Sequence, residues 1–305
     1  MTRVAVVDLG TNSTRLLVAD VIDGQAREVE RLLTVTRLGQ DVDAGRRLVP
    51  EAMERVFACL ERYARAIERH GAERALAFAT SAVRDAGNAD EFLAEVETRF
   101  ELPTRLLSGD EEALLTFGGV AAGRDFTEPT LVVDLGGGST ELIVGDDAGI
   151  LFHRSLELGC VRLTERFVRC DPPGGCELES LVLYIRSLLL DGVPADVLPA
   201  RGIGTAGTVT TLGTLHLGLP KEDPAALHGH RLPAAWIGAE AHRLARTPVE
   251  TLARRPGIDP DRAYVIAAGA TALTEIVGFF ELDELEISET DILHGVALDL
   301  ASLRR

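Results

Sequence analysis

The chain has 305 residues, 46% of them apolar, and carries 31 Lys and Arg against 48 Asp and Glu, a formal net charge of −17. That length suits two domains with separate cores, and the apolar content excludes an intrinsically disordered chain. The acidic balance excludes a general nucleic-acid or anionic-membrane surface, so a polyanionic ligand has to be met by a local basic site.

Val6–Asp20 reads VVDLGTNSTRLLVAD: an apolar run, a polar turn and a second apolar run, the pattern of a β-hairpin. A third strand is expected over Glu28–Leu38. Pro50–His70 has apolar residues at helical spacing, with Pro50 suited to a first helical position and Gly71 to the cap beyond the end. Ala75–Ala79 reads as a strand leading into Ser81-Ala82-Val83-Arg84, and Asn88 is expected to cap a helix from Ala89. Leu106-Leu107 ends another strand. Ser108 followed by Glu111 is a capping box, which gives Glu111 a structural task. Glu112 has none: in the first helical turn after a strand it reads equally as a reactive group beside a cleft or as a solvated carboxylate favoured by the helix dipole.

Gly123–Pro129 is polar and turn-rich and reads as the domain boundary. Beyond it Val132–Asp146, VVDLGGGSTELIVGD, repeats the first hairpin at about two positions in three. In both copies an Asp ends the incoming strand, and a turn of small residues leaves N–H groups free to bind an anion. The turns are Gly10-Thr11-Asn12-Ser13 and Gly136-Gly137-Gly138-Ser139. One register position differs in charge, Arg15 in the first copy and Glu141 in the second. Helices are expected over 164–168, 178–190, 208–217, 234–246, 249–254 and 261–279, a short strand over 286–288, and a closing helix from about Ile292.

Gly202-Ile203-Gly204-Thr205-Ala206-Gly207 matches G-x-G-x-x-G, but it is expected to lie outside a clear βαβ unit. It is read as a glycine turn opening a helix, with Gly207 and Thr208 able to hold phosphate or a purine edge. His228 and His230 can chelate a metal only with a third ligand from elsewhere, so ordinary loop histidines are expected. The four cysteines lack zinc-site spacing; Cys170 and Cys176 flank a Pro-Pro-Gly-Gly turn and are expected to be reduced thiols. Neither a signal peptide nor a membrane span is evident, so a cytoplasmic protein is expected.

Taken in order, DLGTNSTRLLVAD at 8–20, ATSAVRDAGNADEF at 79–92, SGDEEALLTFGGV at 108–120 and DLGGGSTELIVG at 134–145 form a specific set. With LGCVRLTERF at 158–167, GIGTAGTVTTL at 202–212, GIDPDRAYVIAAGA and ISETDILHG, the chain resembles the exopolyphosphatase/guanosine pentaphosphate phosphatase (Ppx/GppA) family, in its short two-domain form. The resemblance implies an α/β fold of two actin-like, ribonuclease H-like domains around an interdomain cleft, 1–124 plus 292–305 and 125–291, the second with added helices. It implies hydrolysis of a terminal phosphoanhydride of inorganic polyphosphate. Glu112 would activate water, Arg84 would bind phosphate, and the two hairpin turns with Gly207 and Thr208 would supply further phosphate contacts. Asp8, Asp134 and Glu141 are the candidates for Mg²⁺, Glu141 also standing among the catalytic candidates, and Arg162 and Arg262 fall in shared motifs that could line an anion path. The sibling activity, removal of the 5′ γ-phosphate of guanosine pentaphosphate, and a non-catalytic (p)ppGpp-binding regulator stay open. So does a homodimer.

Overall fold

Two apolar runs, Val4–Leu9 and Leu131–Leu135, are buried along their whole length apart from small exposures at the two aspartates. A strand buried on both faces belongs at the centre of a sheet, and each of these runs nucleates one. The computed structural model describes residues 1–303 and divides into two compact units, Met1–Arg124 with Thr290 onward, and Asp125–Glu289.

In the first unit the strands are β1 (Thr2–Leu9), β2 (Ser13–Ile22), β3 (Gln25–Val35), β4 (Arg74–Ala79) and β5 (Thr104–Leu106), in the order β3-β2-β1-β4-β5. β1 runs antiparallel to β2 and parallel to β4, and β4 parallel to β5. In the second unit β6 (Thr130–Leu135), β7 (Thr140–Asp146), β8 (Gly149–Leu156), β9 (Arg201–Thr205), β10 (Arg231–Pro233) and β11 (Glu284–Ile287) take the order β10-β11-β9-β6-β7-β8. Apart from the added antiparallel edge strand β10, the second sheet repeats the first: a three-stranded meander continued by two parallel strands. The duplicated hairpins are therefore the visible part of a duplicated α/β sheet.

The helix Pro50–His70 starts at its proline and ends at Gly71, whose φ of 62° suits a residue without Cβ. It buries Val56, Phe57, Leu60 and Tyr63 against the first sheet, each contributing about 1.5–3 kcal/mol on burial. On a second core of that unit the helix Ile292–Ser302 packs Ile292, Leu293 and Val296 with Val4, Val6 and Phe78. It crosses the helix Gly109–Ala121 at backbone distance: a Cβ on Gly119 would overlap Asp291, and one on Gly295 would overlap Leu115. No described helix is long and apolar enough to cross a membrane.

Several expectations need correction. Asn88 does not cap the helix Ala89–Phe100; its amide binds Leu48 on both sides, taking N–H at 2.8 Å and donating to C=O at 3.1 Å. Strands β8, β9 and β10 were not foreseen, because they are short or lack alternation. The G-x-G-x-x-G run does lie in an α/β crossover: β9 pairs in parallel with β6 and β11, and the helix Gly207–His216 follows it. The helix expected over 261–279 is a 3₁₀ turn, Pro260–Arg262, and a separate helix, Ile266–Phe279. That expected from Thr164 starts at Cys160.

Candidate functional site

In the first unit the carboxyl ends of β1, β4 and β5 lie side by side, Leu9 opposite Ala79 and Ala79 opposite Leu106. Ligands of α/β sheets gather at such ends. β1 opens into Gly10–Ser13, β4 into the short helix Ser81–Arg84, and β5 into Ser108 and the helix Gly109–Ala121. The Thr11 and Asn12 carbonyls are engaged by the N–H groups of Gly39, Thr36 and Arg37.

The capping box at Ser108 forms in both directions, and Arg105 adds a 2.7 Å bond to Glu111 Oε1. These contacts hold the Glu111 carboxyl down to about 2. Glu112 is different: buried, with Arg84 Nη1 donating to its Oε2 at 2.9 Å. The solvated alternative is thereby excluded. Arg84 also donates to the Leu107 carbonyl at 2.8 Å, so strand end and helix start fix its position. A buried carboxylate beside a guanidinium that keeps part of its surface exposed is a pairing able to hold a phosphate and a water together.

Asp8 and Arg15 stand opposite each other on β1 and β2. Arg15 Nε donates to Asp8 Oδ2 at 2.8 Å and Nη1 to Asp291 Oδ2 at 2.6 Å, and Arg31 reaches the same Asp291 oxygen at 3.0 Å. Burial pushes the Asp8 carboxyl up against the opposing effect of Arg15. At Asp291 burial acts the same way, but Arg15 and Arg31 together outweigh it and hold that carboxyl far below the usual range. Asp291 and Arg31 are charged neighbours of this pair that sequence reasoning did not single out. Asp291 ahead of an apolar run carries a legible N-cap signal, whereas nothing local marks Arg31.

In the second unit the equivalent pair is Asp134 opposite Glu141, both buried, and Ser155 donates to Glu141 Oε1 at 2.8 Å. As hard oxygen donors the two carboxylates suit a divalent cation such as Mg²⁺. Asp8, the third Mg²⁺ candidate, meets Arg15 through Oδ2 alone, and its Oδ1 is buried without a hydrogen bond. Among the described residues no group of three or more His, Cys, Asp and Glu is arranged to hold a metal ion.

The turn Gly136–Ser139 follows β6, and Gly207 and Thr208 follow β9, whose Thr205 stands opposite Asp134. A Cβ on Gly207 would coincide with the Arg262 guanidinium, so this glycine lets a cation lie against the start of the helix. Cys160 lies beside Thr208 and under Arg262; burial pushes its thiol up, with Arg262 and a Thr208 hydrogen bond opposing. Glu222 accepts from Thr210 Oγ1 at 2.9 Å. His228 Nδ1 accepts from Glu289 N–H, and His230 pairs with His216 at 2.7 Å, which leaves 228 and 230 with separate partners.

The family model described as the Ppx/GppA phosphatase family matches residues 17–303. A protein from Mycobacterium tuberculosis named exopolyphosphatase 2 is 40% identical, over 99% of each chain. A protein from Vibrio vulnificus named guanosine-5′-triphosphate,3′-diphosphate pyrophosphatase is 29% identical over 98% of this chain and 59% of its own. The crystal structure of an Aquifex aeolicus Ppx/GppA family member superposes with a TM-score of 0.83 at 30% identity, covering 98% of this chain and 97% of that one.

Proposed function

Because the chain belongs to the Ppx/GppA phosphatase family, we propose that it removes the terminal phosphate of inorganic polyphosphate by hydrolysis, in the cytoplasm. The observation that carries this reading is the Arg84–Glu112 pair at the ends of β4 and β5. In the proposed reaction a water held by Glu112 attacks the terminal phosphorus in line with its bond to the chain. Glu112 takes the water's proton as the new P–O bond forms; the P–O bond to the bridging oxygen breaks and its electron pair leaves with the shortened chain. Arg84 binds non-bridging oxygens of the transferred phosphate, its planar fork matching two of them. The turns at Gly10–Ser13 and Gly136–Ser139, one in each unit, each offer backbone N–H groups as a phosphate cradle.

Asp134 and Glu141 fit Mg²⁺ by donor type, burial and register. Bound there, it would neutralise phosphate charge. The 40% identity over nearly the whole of both chains supports polyphosphate as the substrate.

The test is orthophosphate release with Mg²⁺ from short polyphosphate, long polyphosphate and guanosine pentaphosphate, with Glu112→Gln alongside. Release from polyphosphate that Glu112→Gln abolishes is expected. Higher kcat/KM on the pentaphosphate moves the assignment to that substrate with the same base. No release from any of the three, with tight binding of guanosine tetraphosphate, overturns catalysis.

A further inference from the structure

The helix Cys160–Phe167 begins against the glycine turn of the second unit. The first N–H groups of any helix lack partners within it; here the turn's carbonyls take them. Gly159 N–H donates to Gly138 O at 3.2 Å, Cys160 N–H to Gly136 O at 3.0 Å, and Val161 and Arg162 N–H to Gly137 O at 2.9 and 3.2 Å. The Arg162 side chain, only 6% exposed, adds Nε–H to Gly138 O at 2.9 Å. The approach is close enough that a Cβ on Gly159 would overlap the Gly137 and Gly138 backbone.

A trans peptide turns its N–H away from its C=O. With the carbonyls of Gly136, Gly137 and Gly138 facing this helix, the N–H groups of Gly137, Gly138 and Ser139 are therefore turned from it. Among the described residues none of those three donates to a loop or cap carbonyl. The turn's capacity to bind an anion thus depends on what holds its carbonyls back. Among the three, the Gly138–Ser139 peptide is the one whose carbonyl a charged side chain holds, and the glycine before it permits either orientation. A flip there would replace the Ser139 N–H by a carbonyl oxygen and present negative charge to phosphate.

We infer that Arg162 is a positioning residue: its guanidinium pins the Gly138 carbonyl and so aims the Ser139 N–H at a bound phosphate. A charge-assisted bond to a carbonyl is stronger than a neutral one, and burial leaves Arg162 little freedom to release it. This rests on the reading of Gly136–Ser139 as a phosphate cradle, and it takes Arg162 out of direct substrate contact. The exposed Glu157 carboxylate lies 3.9 Å from Arg162 Nη1.

The experiment measures orthophosphate binding by calorimetry in the Glu112→Gln background, kcat and KM on polyphosphate in the active background, and thermal melting throughout. Arg162→Ala is expected to weaken orthophosphate binding about tenfold and to lower kcat by about 10²-fold, the scale of one lost oriented donor. Arg162→Met keeps the buried stem without donors and carries the same expectation should the alanine variant not fold. Gly159→Ala should produce a comparable loss that does not add to that of Arg162→Ala. A folded Arg162 variant with wild-type phosphate affinity and turnover overturns the inference. So does a loss that tracks only the fraction unfolded. Failure of the wild type to release phosphate strikes the proposed function instead, since the binding measurement still decides whether Arg162 shapes the cradle.

Discussion

Arg84 Nη1 lies 2.9 Å from Glu112 Oε2 and 2.8 Å from the Leu107 carbonyl, so one guanidinium ties the end of β5 to the helix that carries the candidate base. Glu112→Gln keeps an oxygen for Arg84 but is a far weaker base. Turnover should fall by about 10²–10⁴-fold with the melting temperature nearly unchanged. Phosphate-release kinetics and melting on the same preparation check both halves.

Arg84→Lys should not be a conservative change. An ammonium could replace Nη1 toward Glu112 and the Leu107 carbonyl, but it lacks the other guanidinium N–H groups, Nη2 and Nε, whose planar fork is left to bind phosphate. The expected result is a large rise in KM for polyphosphate, measured by initial rates across substrate concentration.

Arg15 joins two buried aspartates, Asp8 and Asp291. Arg15→Met leaves Asp8 as a buried carboxylate without its cation, a change that typically costs about 3–5 kcal/mol. Asp291 keeps Arg31, so Asp8→Asn in the same chain should recover much of that loss. Urea unfolding of the single and double variants measures it.

Gly207→Ala would drive its methyl into the Arg262 guanidinium. The obstructing group is the far end of a flexible side chain, so it can move away and the fold should survive. Activity should then fall to the level of Arg262→Ala, and combining the two should add little.

Stability should depend on acid through Glu111. Its hydrogen bonds from Arg105 and Ser108 lower its folded value from 4.5 to about 2. A depressed carboxyl stabilises the fold above its unfolded value, and that contribution is lost as pH falls from about 4.5 towards 2. Because the Glu111 side chain is 39% exposed, solvent screening limits the effect to about 1 kcal/mol or less. Glu111→Gln should flatten the melting temperature against pH in that window and leave a smaller change elsewhere.

The sequence separated the roles of Glu111 and Glu112 because a capping box is a matter of three-residue spacing. It could not show that Glu112 is buried beside Arg84, since that requires β4 and β5 to pair and the helix Ile292–Ser302 to cross nearby. Asn88 shows the reverse: local spacing favoured a helix cap, but a partner 40 residues away, Leu48, took the side chain. Strand β9, RGIGT, has no apolar alternation, and only pairing on both sides makes it a strand.

By itself the sequence determined the α/β class, the duplicated hairpins with their aspartates and small turns, and the family, because these follow from periodicity and short-range order that survive along a chain. Tertiary structure alone decided the charges' partners: Arg15 with Asp291 across 276 positions, Arg262 against Gly207, and Arg162 on the Gly138 carbonyl. The physical reason is that a buried charge must find its counterpart in space, and the pairing that satisfies it is created only when the sheets assemble.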